Sequence, residues 1–299
     1  MGTPSASHPA QFGDAVAAQV EDQLSSASLT GSYRDDVGAA LRLDGNILST
    51  MPDLRWARPV LVCCEAAGGR GERSVPVAAA VEMFMVALDM LDDFEDREDC
   101  ELERRIGAPR ALNVTTGLQL LAQRCLLGAA DGGMAAQILL EAGLRACSGQ
   151  HADLGQVCDG TGLDGAWSIA AEKSGSLAAA ICQLGALAAG ADGPAQTRYA
   201  SFGRLLGIAA QLANDLRALA PGARGKTDLL FRRPTLPLVF ASCAGTDGVG
   251  AQPNPWSSGA AHFTWAVADT HRRRAMDLIP ALTADDRCRV ALASLLHVL

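Results

Sequence analysis

A run of acidic residues near the middle of the chain has the composition of a metal site. It reads DDFED, from Asp92 to Asp96, and it ends an apolar segment that starts at Val81. If the segment is helical, Asp92 and Asp96 share one face with Asp93 beside them, and their charges repel. A cation would relieve that repulsion, and Mg²⁺ prefers one or two carboxylates together with water and substrate phosphate. A solvated acidic helix end before a loop is the simpler interpretation of the same residues.

Net charge and cysteine content limit the partners of such a site. The chain has 299 residues and a net charge of −8, which argues against nucleic acid or an anionic membrane as a partner. A polyanionic substrate would need local cations or bound metal. Nine scattered cysteines without zinc-finger spacing indicate free thiols in a reducing compartment. With no signal peptide and no apolar run judged long enough to span a membrane, we expect a soluble, cytoplasmic protein without membrane insertion.

The elements that must position the acidic run are predicted to be helices. Apolar residues make up 49% of the chain and aromatics only 4%, and Ala and Leu dominate, which favours an all-α protein. We predict a disordered segment over residues 1–12 and one domain over 13–299. About ten to twelve helices are expected, with a mobile loop at 244–258. The helices are predicted from residue 14 onward and over 33–43, 58–67, 76–98, 111–129, 132–153, 167–189, 197–219, 260–279 and 285–299. The apolar 76–98 helix belongs in the middle of a bundle whose central helices carry the site.

Six short segments, in order along the chain, resemble the trans-isoprenyl diphosphate synthase (polyprenyl synthetase) family. LDDFED resembles the family's first aspartate-rich motif, DDxxD. The other five are ERRIGAP (103–109), GQHADL (149–154), EKSGSL (172–177), FGRLLGIAAQLANDL (202–216) and GKTDLLFRRPTLPL (225–238). Each segment alone is weak, but six in the right order are specific. The resemblance implies the all-α class I isoprenoid synthase fold, a helical bundle with a central active-site cavity.

The resemblance also implies a role for each matching residue. The metal ligands would be Asp92, Asp93, Asp96, Asn214 and Asp215, holding two to three Mg²⁺ ions with a bound prenyl diphosphate. The cations Lys173, Lys226 and Arg233 would contact diphosphate oxygens, and ordinary surface charge is the alternative for each. Polar supports would be Gln150, Asp153 and Gln211. Metals and cations together would stabilise diphosphate as a leaving group and leave an allylic cation in an apolar cavity.

The second metal motif departs from the family pattern. Chain-elongating relatives have DDxxD where this chain has Asn214, Asp215, Leu216, Arg217 and Ala218. Asn at the first position resembles the NDxxSxxxE motif of terpene synthases. That motif is incomplete as well, because Ala218 and Gly222 stand where its Ser and Glu would be. A third Mg²⁺ is therefore expected to bind weakly.

The pocket for the second substrate, isopentenyl diphosphate, also departs from the family. Elongating relatives carry GKxxRP, and this chain has LRWARP, in which Arg55 replaces Lys and Trp56 interrupts the cationic cluster. Met85 stands where relatives place His or Gln, and it cannot donate a hydrogen bond. The cations that remain are Arg58 and, as helpers, Arg104 and Arg105. These changes favour an enzyme that ionises one diphosphate without adding a C5 unit.

Two further positions on the same segment bear on the substrate. Ala87 and Leu88 stand near the place where short-chain relatives block the tunnel with aromatics, so a C20 substrate is favoured over C15. Asp89, one turn before Asp92, is an unusual acid there. It could have a functional role, by stabilising a cation or accepting a proton. The alternative is a structural pair with a nearby Arg.

Three functions remain compatible with these patterns. The first is a class I terpene synthase that cyclises a linear prenyl diphosphate. The second is a trans-prenyltransferase, either chain-elongating or prenylating another acceptor, as relatives that modify a peptide tryptophan do. The third is a non-catalytic regulatory subunit of a heteromeric synthase. Because relatives commonly dimerise through apolar helix faces, we also expect a homodimer.

Overall fold

The computed structural model describes residues 12–50, 54–220, 228–244 and 255–297. Within these ranges the regular structure is entirely helical, which confirms the all-α prediction. The predicted disordered segment 1–12, apart from Phe12, lies outside the described residues. So does most of the predicted loop at 244–258.

Fourteen α-helices, one 3₁₀ turn and one π turn make up the described chain. The helices are α1 Gly13–Ser26, α2 Gly31–Leu41, α3 Ala57–Ala66, α4 Gly71–Glu95, α5 Glu101–Ile106, α6 Ala108–Leu127, α7 Gly132–Gly155, α8 Leu163–Ala170, α9 Ser176–Ala188, α10 Gly193–Ala218, α11 Asp228–Phe231, α12 Leu236–Cys243, α13 Ala260–Leu282 and α14 Asp286–Ser294. The 3₁₀ turn is Cys158–Gly160, and the π turn, Ala171–Gly175, joins α8 to α9.

The helices group into two compact units. The first comprises the residues up to Glu95 together with Asp99–Ile138 and Ile181–Gln196. The second comprises Asp96–Glu98, Leu139–Ala180 and the residues from Thr197 onward. The expectation of one domain over 13–299 stays a prediction.

Helix α4 is the centre of the first unit. It packs against α1, α3 and α6, and from Val77 to Ala87 every residue is buried. A helix that is apolar all round must be covered on all sides, so the sequence pattern predicted this position correctly. By length and composition alone, α4 is long and apolar enough to cross a membrane, contrary to our expectation from the sequence. However, 78% of the most apolar 18-residue stretch of α4 is buried inside the protein. The buried core helix of a soluble protein can have the same length and composition.

The second unit has its own apolar core, built by α8, α10, α12 and α13. Its buried members include Ala170, Ile208, Leu212, Leu238 and Ala268. At its edge the rings of Phe240 and Phe263 stack with centroids 4.5 Å apart. This core supports the π turn, because Ala171, the first residue of the turn, belongs to it.

Several predicted helix bounds were wrong. Helix α4 begins at Gly71, five residues before Pro76, and ends at Glu95 instead of continuing to residue 98. The single helix predicted over 167–189 is interrupted by the π turn, and α5, α11 and α12 were not predicted. Short helices and π turns depend on tertiary contacts, so apolar periodicity does not report them.

Candidate active site

Asp92 and Asp93 lie in the last turn of α4, where the sequence placed them. Both are partly buried, and that turn contains no basic residue. The carboxyl end of a helix carries partial negative charge, so two adjacent carboxylates are unfavourable there unless a cation lies nearby. This is a local arrangement that a bound metal ion would stabilise.

Asp96 lies just beyond the end of α4 and is buried, and its sharing of a helix face with Asp92 stays a prediction. The helix ends at Glu95, and Arg97 has a φ of +54°, in the left-handed region that a helix cannot continue through. The Oδ1 atom of Asp96 accepts a hydrogen bond from Arg233 Nη2 at 2.8 Å. The structure thus joins a predicted metal ligand to a predicted diphosphate ligand in one buried ion pair.

Glu82 holds the amino end of α3, which carries Arg58. Its Oε1 atom accepts hydrogen bonds from the backbone N–H groups of Ala57, at 2.7 Å, and Trp56, at 3.2 Å. Burial raises the pKa of Glu82 to about 7, although the two backbone N–H groups and the Arg55 charge act in the opposite direction. Glu82 is therefore a buried carboxylate that caps a helix from a neighbouring element. Arg58 itself is exposed.

The cations expected around the second-substrate pocket already have acidic neighbours. Arg55 Nη2 lies 3.6 Å from Asp89 Oδ2, and its guanidinium lies over the Trp56 ring, 5.5 Å from the centroid. Of the alternatives for Asp89, pairing with a nearby Arg is the one that the structure shows. Arg104 pairs with Asp99 and Arg105 with Glu101, so their expected role as helpers competes with these ion pairs. The side chain of Met85 is buried.

In the second unit, the π turn carries Lys173. The Lys173 Nζ atom lies 3.6 Å from Asp153 Oδ2, and both side chains are mostly buried. A Cβ atom on Gly149 would lie 2.6 Å from the backbone nitrogen of Lys173, and one on Gly207 would lie 2.5 Å from the Ser174 carbonyl oxygen. Glycines on α7 and α10 therefore let both helices approach the turn closely. Such π turns often occur at functional sites.

Gln211 and Asp215 form a polar pair one turn apart on α10. Gln211 Nε2 donates to Asp215 Oδ1 at 2.8 Å, and Gln211 Oε1 accepts a hydrogen bond from the Ser174 hydroxyl. Burial raises the pKa of Asp215 to about 7. The charges of Asp228 and Asp153 act in the same direction, and Lys173 and the Gln211 hydrogen bond oppose it. Asn214, its predicted partner in metal binding, is exposed.

Gln150 is a polar side chain without a partner in the described part of the chain. Its amide nitrogen and oxygen are both buried, and neither makes a hydrogen bond to a described residue. A buried amide without partners is costly, and a bound polar ligand would satisfy it. Lys226, also predicted to contact diphosphate, lies outside the described residues.

The donor set suits Mg²⁺ shared with a phosphate ligand. Among the described residues, no group of three or more His, Cys, Asp or Glu side chains is arranged to hold a metal. Mg²⁺ does not require one, since it usually binds one or two carboxylates and completes its shell with water and substrate phosphate. Asp92 and Asp93 in the first unit, and Asp215 in the second, offer carboxylate oxygens of that kind.

Three features of the site were not anticipated. Glu82 was not among the predicted site residues, and the one signal for it was that an acid interrupts the apolar segment that starts at Val81. Glu172 on the π turn lies 3.5 Å from Arg204 and 3.8 Å from Arg145, and no pattern predicted these pairs. The π turn itself also has no sequence signature that we recognised.

Much of the chain is similar in sequence to a known protein family. The model of the polyprenyl synthetase family matches residues 55–249. A (2E,6E)-farnesyl diphosphate synthase from Mycobacterium tuberculosis is 29% identical over 231 residues, which cover 73% of this chain and 62% of that protein. The chain thus matches less than two thirds of the length of that relative. A tryptophan prenyltransferase from Bacillus spizizenii is 28% identical over 174 residues, covering 58% of this chain and 60% of the relative.

Solved structures share the fold at lower sequence identity. A geranylgeranyl pyrophosphate synthetase from the archaeon Geoglobus acetivorans superposes with a TM-score of 0.81, covering 96% of this chain and 95% of its own. At 18% identity this likeness shows the fold alone. The fold is the one that the six ordered sequence segments implied.

Proposed function

The chain belongs to the polyprenyl synthetase family, and from that premise we propose that it is a trans-prenyltransferase. Its substrate would be a linear prenyl diphosphate, with C20 favoured and C15 as the alternative. The enzyme would ionise this substrate with Mg²⁺ and transfer the prenyl group to an acceptor. The observation that carries the proposal is the pair of adjacent carboxylates, Asp92 and Asp93, at the negative end of α4 inside the matched segment.

The described residues support distinct parts of this reaction. Asp92 and Asp93 would hold metal at the end of α4. Asn214 and Asp215, on α10, are the further metal ligands that the family resemblance implies. When bound, Mg²⁺ supplies positive charge that stabilises the departing diphosphate. Lys173 is held by Asp153 on the π turn and would serve as a point charge toward phosphate oxygens. Arg233 would donate hydrogen bonds to phosphate oxygens through its guanidinium. Its hydrogen bond to Asp96 would then be replaced by the phosphate contact or kept beside it.

Replacing the two carboxylates tests the proposal. We expect Asp92→Asn/Asp93→Asn to lower Mg²⁺-dependent diphosphate release from farnesyl and geranylgeranyl diphosphate by about a hundredfold or more, because charge stabilisation at the leaving group is lost. The control is Glu95→Gln, which removes an exposed acid from the same turn and should leave the rate near wild type. If wild-type protein releases diphosphate from neither substrate, or if the double variant is as active as wild type, the proposal is wrong. The second outcome would instead suit a regulatory subunit.

Cyclisation of the substrate is a second candidate. The Arg55–Asp89 ion pair and the buried Met85 both weaken the expected site for a second diphosphate, which favours an acceptor within the substrate itself. Mass spectrometry of products formed with and without isopentenyl diphosphate separates the two. A longer diphosphate indicates elongation, and a hydrocarbon or terpene alcohol from the prenyl diphosphate alone indicates cyclisation.

A homodimer and a cytoplasmic location belong to the same proposal. Three leucines, Leu112, Leu120 and Leu127, are exposed at spacings of eight and seven residues along α6. Residues at such spacings share one helix face, so α6 presents an apolar stripe to solvent. A second copy of the chain would cover it. The free cysteines of the described chain suit a reducing compartment.

A further inference from the structure

The amino end of α3 has acidic as well as basic side chains around it, although the family pattern there is cationic. Two arginines, Arg55 and Arg58, flank the start of the helix, and two acids, Glu82 and Asp89, reach it from α4. Arg55 and Asp89 are both about half exposed, so their attraction is modest in energy. Their charges nevertheless largely cancel for any ligand that approaches.

The backbone donors of this helix end are also engaged. The first N–H groups of a helix bind anions well, because they lack partners within the helix and carry the positive end of its dipole. Here the N–H groups of Trp56 and Ala57 donate to Glu82 Oε1. An incoming diphosphate would have to compete with a buried carboxylate for these two donors.

Two side chains near the same place add no positive charge. Met85, one turn after Glu82 on α4, is buried and has no hydrogen-bond donor. The aromatic ring of Trp56 lies under the Arg55 guanidinium, which uses one face of that cation. Met85 and Trp56 therefore add no cation to this helix end, and the Arg55 guanidinium is shared between Asp89 and the Trp56 ring.

From this arrangement we propose that the acceptor of the prenyl group carries no diphosphate, and that Asp89 is the residue that sets this preference by neutralising Arg55. The inference rests on the proposed prenyltransferase function and names its acceptor class: an uncharged alkene or aromatic ring. The C1–O bond of the prenyl diphosphate would break first, and its electron pair would leave with the diphosphate. The π electrons of the acceptor would then form a carbon–carbon bond to C1 of the prenyl cation. The diphosphate would also take the proton that the acceptor loses, from the attacked carbon of an aromatic ring or from a carbon next to the new cation of an alkene.

Binding of isopentenyl diphosphate to Asp89→Asn protein tests the role of Asp89. The substitution keeps the side-chain shape and removes one negative charge beside Arg55. We expect isothermal titration calorimetry to show weak binding to wild type and a dissociation constant on the order of tenfold lower for the variant. The tighter binding should be absent in Asp89→Asn/Arg55→Ala, because it depends on an Arg55 side chain that no longer pairs with Asp89.

Asp36→Asn is the matched control. Asp36, on α2, forms an ion pair with Arg110, on α6, in the same unit. Its substitution should leave isopentenyl diphosphate binding unchanged. Circular dichroism and thermal unfolding establish that each variant is folded. If folded Asp89→Asn protein binds no more tightly than wild type, or if wild-type protein extends a prenyl diphosphate with isopentenyl diphosphate efficiently, the inference is wrong.

The proposed function fails separately. Diphosphate release from farnesyl and geranylgeranyl diphosphate with Mg²⁺ alone reports ionisation and does not involve the acceptor. If release is absent while Asp89→Asn still tightens isopentenyl diphosphate binding, the prenyltransferase proposal is overturned and the role of Asp89 stands. If release is present and binding is unchanged by the substitution, the reverse holds.

Discussion

Glu82 illustrates how one buried side chain can make the protein sensitive to pH. Its carboxylate caps α3 through two backbone N–H groups, and burial raises its pKa to about 7 from the ordinary glutamate value of 4.5. An acid with a higher pKa in the folded than in the unfolded protein binds its proton more tightly when folded. The contribution of Glu82 to stability is therefore greatest below about pH 4.5 and is lost as pH rises through about 7. Of the neighbouring charges, Arg55 opposes this shift and Asp89 adds to it.

Substituting Glu82→Gln removes this dependence. The amide oxygen can still accept both backbone N–H groups, but the side chain is neutral at every pH. We expect the variant to match wild type near pH 4.5 and to exceed its unfolding free energy at pH 8 by about 1 to 3 kcal/mol.

Urea unfolding of both proteins at pH 5, 6, 7 and 8 measures the effect. The difference between the two proteins isolates Glu82, because Asp215 and the other titrating groups are common to both. A difference that does not change with pH would contradict the assigned pKa. Glu82→Leu is a useful companion, since it cannot accept either hydrogen bond and should destabilise α3 at every pH.

At the scale of elements, the π turn is held by the helices around it. Backbone atoms of α7 and α10 approach Lys173 and Ser174 so closely that only glycine fits at positions 149 and 207. The turn carries Lys173 beside Asp153, and Ser174 beside Gln211. Its conformation therefore decides where these polar groups lie.

Adding a methyl group at either glycine should disturb this turn. We expect Gly149→Ala and Gly207→Ala each to lower stability by about 1 to 3 kcal/mol, because the new atom would clash with backbone and not with a flexible side chain. Diphosphate release should fall as well, since Lys173 would move. Thermal unfolding and the release assay measure the two effects.

Gly133→Ala is the matched control within α7. Nothing lies within 4 Å of a Cβ atom at that position, and Ala is the better helix former, so stability should hold or rise by up to about 1 kcal/mol. Wild-type stability and activity in both Gly149→Ala and Gly207→Ala would show that the turn tolerates displacement.

At the scale of the whole molecule, the leucine stripe on α6 predicts a dimer. Leu120 and Leu127 are 66% and 65% exposed, which is unusual for neighbouring leucines on one face of a helix in a protein of this size. We expect light scattering after size-exclusion chromatography to give a dimer for wild type and to show dissociation toward monomer for Leu120→Lys, because a charge would be buried at the interface.

Val290→Lys supplies the comparison. Val290 on α14 is 71% exposed, so its substitution adds the same charge at an exposed apolar residue outside the stripe and should leave the dimer intact. A monomeric wild type, or a Leu120→Lys protein as dimeric as wild type, would rule out the α6 stripe as the interface.

The amino-acid sequence by itself determined the helical class, the central apolar helix and the family. Helical periodicity and an Ala/Leu-rich composition are local properties, so they can be recognised without knowing the tertiary structure. The acidic run at the end of α4 was recognisable for the same reason, because Asp92 and Asp93 are adjacent in the chain. Ordered motifs added the expected metal and cation residues, of which Lys226 lies outside the described residues.

Only the tertiary structure decided which of these charges neutralise one another. Arg233 forms an ion pair with Asp96, and Arg55 forms one with Asp89. Glu82 caps a helix that begins 25 residues earlier in the chain. Burial of Asp215 and Glu82, which raises both pKa values to about 7, likewise depends on how the helices pack. Such effects arise from distances between residues that are far apart in sequence and from the exclusion of water, and neither is encoded in spacing along one helix.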